Sequence, residues 1–449
     1  MSGSFPPGDA SNGRFPPIPA AQGPLFFFSY AHSPQDDQGG TDPDVWVEKL
    51  YRDLSGHVRG LAELSKGASP GFIDRQLRQG DEWPDQLANA LATCRVFVPL
   101  YSRRYFRSVH CGKEWFAFAM RRVNYKSRNH GPVDATIPAL WIPLPDGMLP
   151  TAASSVQYNS PDFDPLYGEH GFYGIMKVRR WRDIYDEAVY LLARRIVAAS
   201  ELKPPVPPSL IPYEALSPAF GDSADLGFDA GDKPLQITVV APRGDELPDG
   251  RDSAYYGDDA SAWNPYYGDA VRPLAAHAAD VAKSLSYTPS VGDLYQHEAE
   301  LMRSDPPLSG PHVLLIDPYA TLVPASREIL QKLDAINAPW VQVIVVWSER
   351  DLQMKAEKDR LTAALHSALP HKLTEGRAKS VFALRGTRSL EEFSRMLPAV
   401  ITAAGRHYLR IASEHLPQER QAPQELPPLQ EPAHPADPEE PQDPQEAGA

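Results

Sequence analysis

Glu114 is the residue of this sequence best placed to do chemistry. It lies in Ser108-Val109-His110-Cys111-Gly112-Lys113-Glu114-Trp115, just past the apolar run Val96-Phe97-Val98-Pro99-Leu100. The apolar run reads as a buried strand, and the residues after Ser108 read as the opening of a helix. In an open α/β sheet, ligands bind outside the carboxyl ends of the strands, so a reactive carboxylate belongs at such a junction. A second strand-like run, Leu25-Phe26-Phe27-Phe28-Ser29-Tyr30-Ala31-His32, also ends in hydrogen-bonding residues. Two strand ends carrying polar groups are the beginnings of a site.

Each of these residues also has a plainer role. An acidic residue in a first helical turn is favourable against the helix dipole, and that alone would explain Glu114. Cys111 reads as a small buried hydrophobe rather than a nucleophile. His32 and His110 lack ligand partners at metal spacing, so no metal site is expected. Trp83 precedes Pro84 at a helix start, where it could pack as a staple. Arg75, Arg78, Arg103, Arg104 and Arg107 read as a solvated or partner-binding face.

The elements that must position these residues follow from the alternation of short apolar runs with helical periods. Strands are expected at 25–30, 71–74, 95–101 and 136–143, with a weaker one at 174–178, and helices at 43–57, 83–94, 111–124 and 183–199. Such alternation argues for a parallel sheet covered on both faces. It defines a first domain, 24–200. Residues 201–232 open with Lys203-Pro204-Pro205-Val206-Pro207-Pro208 and hold no sustained period, which makes them a linker. The alternation then restarts, with strands at 235–240, 313–317, 341–347 and 381–384 and helices at 271–286, 324–337, 351–368 and 389–413. A stretch rich in Tyr, Asp and Gly, 253–268, reads as a long loop. This second α/β domain spans 233–413. Residues 1–23 and 414–449 have the composition of disordered tails.

Length and composition agree with two or three domains. The 47 prolines among 449 residues are about twice the usual share of roughly 5% and gather at 6–24, 203–212 and 417–444, which marks tails and linker. Of the net charge of −14, residues 417–449 supply −7, from eight Asp or Glu against the single Arg420. The remainder has no basic face for a phosphate backbone, so nucleic acid is not an expected partner. Two cysteines, Cys94 and Cys111, exclude a disulfide framework and suit a reducing compartment. There is no secretory signal pattern and no apolar run near the ~20 residues of a membrane span, so a soluble, cytoplasmic chain is expected.

The series FFFSYAH, GFIDRQLRQGDEWPDQL, CRVFVPLYS and RSVHCGKEW resembles a TIR (Toll/interleukin receptor) domain. That family has a strand ending in a Ser-Tyr-like pair, a strand ending in Asp before an arginine-containing loop, a core strand, and a Ser-x-Trp-Cys-x-x-Glu helix. The likeness spans 24–125 well and the rest of the first domain loosely; His110 stands where the pattern has Trp. The two-domain layout with proline-rich ends further resembles the TIR-like FxsC family that accompanies FxSxx-COOH ribosomal peptide systems.

The resemblance implies a flavodoxin-like fold with a five-stranded parallel sheet; the second α/β domain, by the order of its elements alone, could be a degenerate TIR-like unit. It also implies, in some members, cleavage of the nicotinamide glycosidic bond of NAD, which would be a substrate rather than a resident cofactor. Breaking that bond develops oxocarbenium character on the ribose, which one carboxylate can stabilise, and nicotinamide leaves as a neutral base needing no general acid. Glu114 would be the catalytic carboxylate. Trp83 could stack on an aromatic base, Arg75 and Arg78 could meet the pyrophosphate, and Ser29, Tyr30 and Ser102 could line the pocket floor. The loop Gln76-Leu77-Arg78-Gln79-Gly80-Asp81 is of a kind TIR domains use for homotypic contacts, so self-association or pairing with other TIR-like units is an equal expectation, as is pairing with proteins of a peptide pathway. Glu328 follows Asp317 at an interval like that of Glu114 after Ser102, but without the Ser-x-x-Cys context, so the second domain is expected to bind a partner rather than catalyse.

Overall fold

The computed structural model describes residues 23–33, 44–64, 69–74, 83–129, 131, 135–145, 147–154, 156, 161–201, 213–220, 233–379 and 386–415. The first sheet is formed by β1 (Phe26–Ser29), β2 (Gly71–Ile73), β3 (Val96–Tyr101) and β4 (Ala139–Leu140), all parallel, in the order β2-β1-β3-β4. Every residue of β1 and β3 is buried, as expected of strands covered on both faces. Phe27 stacks against Phe72 on one side and Phe97 on the other, with ring centroids 5.4 and 5.9 Å away, and the row continues to Phe118. Rings from neighbouring strands thus set the register as well as the core.

The strands are joined through α1 (Val45–Leu61), α2 (Trp83–Thr93), α3 (Arg103–Arg107) and α4 (Val109–Asn129). Val47, Leu50, Leu54 and Val58 give α1 its buried stripe at helical spacing. Beyond β4 come α5 (Thr151–Ser154), α6 (Pro165–Lys177) and α7 (Arg182–Ser200), the last packed along α1.

Four strands, not five, make this sheet among the described residues. The weak strand expected at 174–178 is the end of α6. The helix opens with Asp164 capping the Leu166 N–H at 2.8 Å and Pro165 in the first turn, kinks at Gly171 (φ 64°), and continues as a second short piece that includes 174–177, with the Val178 N–H closing on the Gly174 carbonyl.

A second parallel sheet contains β5 (Lys233–Val240), β6 (Tyr287–Asp293), β7 (His312–Ile316) and β8 (Val341–Val345). Its order, β6-β5-β7-β8, repeats that of the first: the strand that comes first in the chain lies between the second and the third. Around it run α8 (Leu274–Ser284), α9 (Glu298–Leu301), α10 (Pro324–Ile336), α11 (Leu352–Ala356), α12 (Lys358–Ala368), α13 (Pro370–Lys379) and α14 (Leu390–His415). The single helix expected at 351–368 is two, α11 and α12. The strand expected at 381–384 lies outside the described residues, although Thr387 just beyond it bridges Val346 in parallel. Most of both expected tails also lies outside them.

The sheets share one continuous apolar core, with α4 packed on α8 between them. At this contact Ser127 hydrogen-bonds His277 Nδ1, and His277 Nε2 meets Ser394 Oγ of α14 at 2.8 Å. Lys126 pairs with Asp280 at 3.0 Å. Burial pushes His277 down to about 4, so the ring is neutral in this junction.

Candidate functional site at the carboxyl ends of the first sheet

Ser29 ends β1, and its Oγ donates to Glu114 Oε2 at 2.5 Å from the second turn of α4. The same Oγ lies 3.1 Å from the Tyr105 hydroxyl of α3. Glu114 is only 2% exposed. Burial, and then the charge of Asp74, push its carboxyl up to about 8, against the opposing pull of the Ser29 bond and of His32. The group is therefore mainly a neutral acid at pH 7. A single hydrogen bond is thin support for a buried charge, which is why desolvation wins.

Asp74 follows β2 and is buried, and its Oδ1 has no hydrogen-bond partner among the described residues. His32, two residues past Tyr30, bridges the carboxylates: Nδ1 is 3.3 Å from Asp44 Oδ2 and Nε2 is 3.8 Å from Asp74 Oδ2. Burial works against its positive charge, but the two carboxylates outweigh it and hold His32 up at about 9. Asp44 also accepts the Ser33 N–H, which ties the residue before α1 to the chain just past β1. Tyr30 is buried with its ring 4.4 Å from that of His32. The result, among the described residues, is a cluster of three buried acids around the half-buried His32 at the ends of β1 and β2.

The structure brings Ser29, Tyr30 and Glu114 to this end of the sheet. Ser102 is also at a strand end, but its Oγ caps α3 by accepting the Tyr105 N–H at 3.1 Å, a role that accounts for it without a ligand. Arg75, Arg78 and the loop through Asp81 lie outside the described residues, as does the side chain of Trp83 at the start of α2. Arg103, Arg104 and Arg107 are exposed on or at the end of α3. Cys111 is 2% exposed, and burial followed by the nearby Glu114 pushes its thiol well above the ordinary range, so it is no thiolate nucleophile. Among the described residues no His, Cys, Asp and Glu group could hold a metal ion. No described helix is long and apolar enough to cross a membrane.

Sequence reading missed Asp44, Asp74 and Tyr105 as members of the cluster, and missed Tyr213 and Phe220 altogether. Asp74 carried a signal, as the polar residue closing the strand that precedes the arginine loop. Tyr213 and Phe220 belong to the stretch read as linker. Yet Tyr213 lies 3.1 Å from His110 Nδ1, and Phe220 packs on Tyr105, Phe106 and Trp115 with centroids 5.6, 5.1 and 6.0 Å away.

Residues 26–158 match the family model described as TIR domain. The chain contains a TIR domain. It runs from β1 to the residues after α5, so Ser29, Asp74, Tyr105 and Glu114 all fall within it, whereas α6, α7 and the whole second sheet fall outside. No curated protein matches the chain.

The corresponding end of the second sheet is built differently. Arg251 is 2% exposed at its side chain and binds both oxygens of Asp351, at 2.9 and 2.5 Å. Its guanidinium lies 4.2 Å from the centre of the Tyr319 ring. Tyr256, from the expected long loop, donates to Asp317 Oδ2 at 2.6 Å. Glu328 of α10 is exposed and pairs with Lys332 one turn on.

Proposed function

We propose that the TIR domain cleaves the nicotinamide–ribose bond of NAD, with Glu114 as the carboxylate that stabilises the ribosyl cation. The observation that carries this reading is the burial of Glu114, held by Ser29, at the carboxyl end of β1. An acid kept there at the cost of desolvation, with Asp74 as a close like charge, has the perturbed character of a functional group. The substrate itself supplies what ionises it. A nicotinium ring is cationic, and a positive charge brought beside Glu114 favours the carboxylate.

In the reaction the C1′–N bond breaks and its electron pair passes to the pyridinium nitrogen, releasing neutral nicotinamide. The positive charge moves to C1′ and the ring oxygen, facing the Glu114 carboxylate. Water adds at C1′ and loses its proton, giving ADP-ribose; attack by a nucleophile of the same molecule would give a cyclic product. Ser29 orients the carboxyl, and Tyr105 orients Ser29.

The alternative is a non-enzymatic adaptor or accessory protein of the FxsC kind, acting by protein–protein contact in a ribosomal peptide pathway. It is favoured by the second sheet, whose strand ends close on themselves through Arg251 and leave that half to bind a partner. In either reading the buried, unpaired thiols of Cys94 and Cys111 suit a reducing, cytoplasmic setting. Incubating the purified full chain with NAD, alone and with crowding agents that favour assembly, separates the two. Nicotinamide release that Glu114→Gln abolishes supports catalysis. Self-association with release at background in both chains, and also in a Phe220→Ala chain that lacks the ring packed on Tyr105, supports the adaptor.

A further inference from the structure

Residues 213–220 lie across the N-terminal turn of α4, one turn before Glu114, and Phe220 packs on Tyr105, whose hydroxyl meets the Ser29 that holds Glu114. A 3-10 turn at Tyr213–Ala215 leads into Leu216, Ala219 and Phe220, and Tyr213, Leu216, Ala219 and Phe220 are all buried. The Ala219 N–H donates to the Gly112 carbonyl at 3.0 Å. Gly112 is a seat made for this segment: a Cβ there would stand 2.3 Å from the Phe220 carbonyl oxygen and 3.1 Å from the Phe220 nitrogen. Among the described residues the segment is held by the Ala219–Gly112 backbone hydrogen bond, the His110–Tyr213 contact, the Lys113 ammonium 5.3 Å from the centre of the Tyr213 ring, and the Phe220 ring among Tyr105, Phe106 and Trp115. Tyr213 is also within reach of the charges beneath it. Burial first, and then Glu114, Asp74 and Cys111, push its phenol upward.

We propose that Tyr213–Phe220 is an intramolecular latch over the Glu114 site, seated on Gly112, and that a ligand reaches the carboxyl only when the latch lifts. The attachment is of a strength that can be reversed. The gain from burying a few apolar side chains is set against the entropy of ordering eight residues, and the two are of similar size. The segment also lies, in the sequence, between the two sheets, so a partner bound to the second half has a covalent route to the latch. The proposal deepens the reading of Glu114 as a reactive group, and its own test does not depend on turnover.

The test uses the full chain and two variants. Gly112→Ala puts a methyl where the Phe220 carbonyl sits while improving the helix propensity of α4. Phe220→Ala removes the ring that anchors the segment and leaves α4 unchanged. Two readouts are followed: amide hydrogen exchange over 213–220, and coupling of glycine ethyl ester to Glu114 by a carbodiimide, located by peptide mass mapping. Exchange over α8 serves as the check that the fold is intact.

The wild-type chain is expected to exchange slowly over 213–220 and to leave Glu114 unlabelled. Both variants are expected to exchange at least tenfold faster there, to label Glu114, and to keep wild-type protection in α8. Unchanged exchange in both variants overturns the latch. So does faster exchange with Glu114 still unlabelled, or labelling of Glu114 in the wild type at the variants' rate. Variants that label at Glu114 but release no nicotinamide leave the latch standing and overturn the NAD reading instead.

Discussion

The two sheets share a strand order and differ in what their carboxyl ends do with charge. In the TIR domain, among the described residues, Asp44 and Asp74 pair with the one cation His32, and Glu114 is left as a buried neutral acid. In the second sheet, Asp351 is matched by Arg251 with two hydrogen bonds, and Tyr256 occupies Asp317. Burial pushes Asp317 up as well, but only to about 6, because Tyr256, the Tyr319 N–H and Arg251 all favour its ionised form. The same topology therefore carries one end with acid to spare and one that is electrostatically closed. Only the first has a reason to respond to an incoming cation.

The contrast can be broken most severely at Arg251. Replacing it by Ala strands Asp351 as an uncompensated buried charge and removes the cation over Tyr319. The expected loss is about 3–5 kcal/mol of unfolding free energy, read by urea denaturation at pH 7. A loss below about 1 kcal/mol would mean that the second end is not closed in the way described.

Glu114 is expected to behave in the opposite manner. Its folded carboxyl titrates at about 8, above the 4.5 of the unfolded group, so the native state binds the proton more tightly. Its contribution is fully present below pH 4.5 and is lost as pH rises through 8. Glu114→Gln keeps the shape and removes the titration. The wild type is expected to lose stability relative to this variant by up to ~1.4 kcal/mol per pH unit between those limits. Parallel stability curves for the two chains from pH 5 to 8 would show that Glu114 is not the buried acid described.

A smaller effect is expected at Ser29. Ser29→Ala leaves the Glu114 carboxyl and the Tyr105 hydroxyl without their shared partner, at a cost of about 1–2 kcal/mol. Because Ser29 donates to the ionised form, its removal also moves the Glu114 titration to higher pH. A shift to lower pH would reverse the sense assigned to that bond.

Parts of this contrast are legible in the sequence and parts are not. The buried strands β1, β3, β7 and β8 announce themselves as mostly apolar runs, because burial on both faces favours apolar side chains along them. The edge strand β6 does not: Tyr287-Thr288-Pro289-Ser290-Val291-Gly292-Asp293 exposes Thr288, Ser290 and Val291 and tolerates a proline. Glu114 stood out by its place after a core strand, whereas its bond to Ser29 spans 85 residues and exists only in the fold. Asp74 and Asp44 were invisible as a pair until His32 stood between them. Tyr213 and Phe220 were hidden by their proline-rich neighbours, since local composition cannot reveal a seat that a glycine opens 100 residues earlier in the chain.

The most direct test is nicotinamide release from NAD by Gly112→Ala and by the double variant Gly112→Ala/Glu114→Gln, at equal concentration and pH. Release is expected to be faster from Gly112→Ala than from the wild type and to fall to background in the double variant. Equal release from the two variants, or background release from both, would contradict the assignment of Glu114 as the reactive group of the TIR domain.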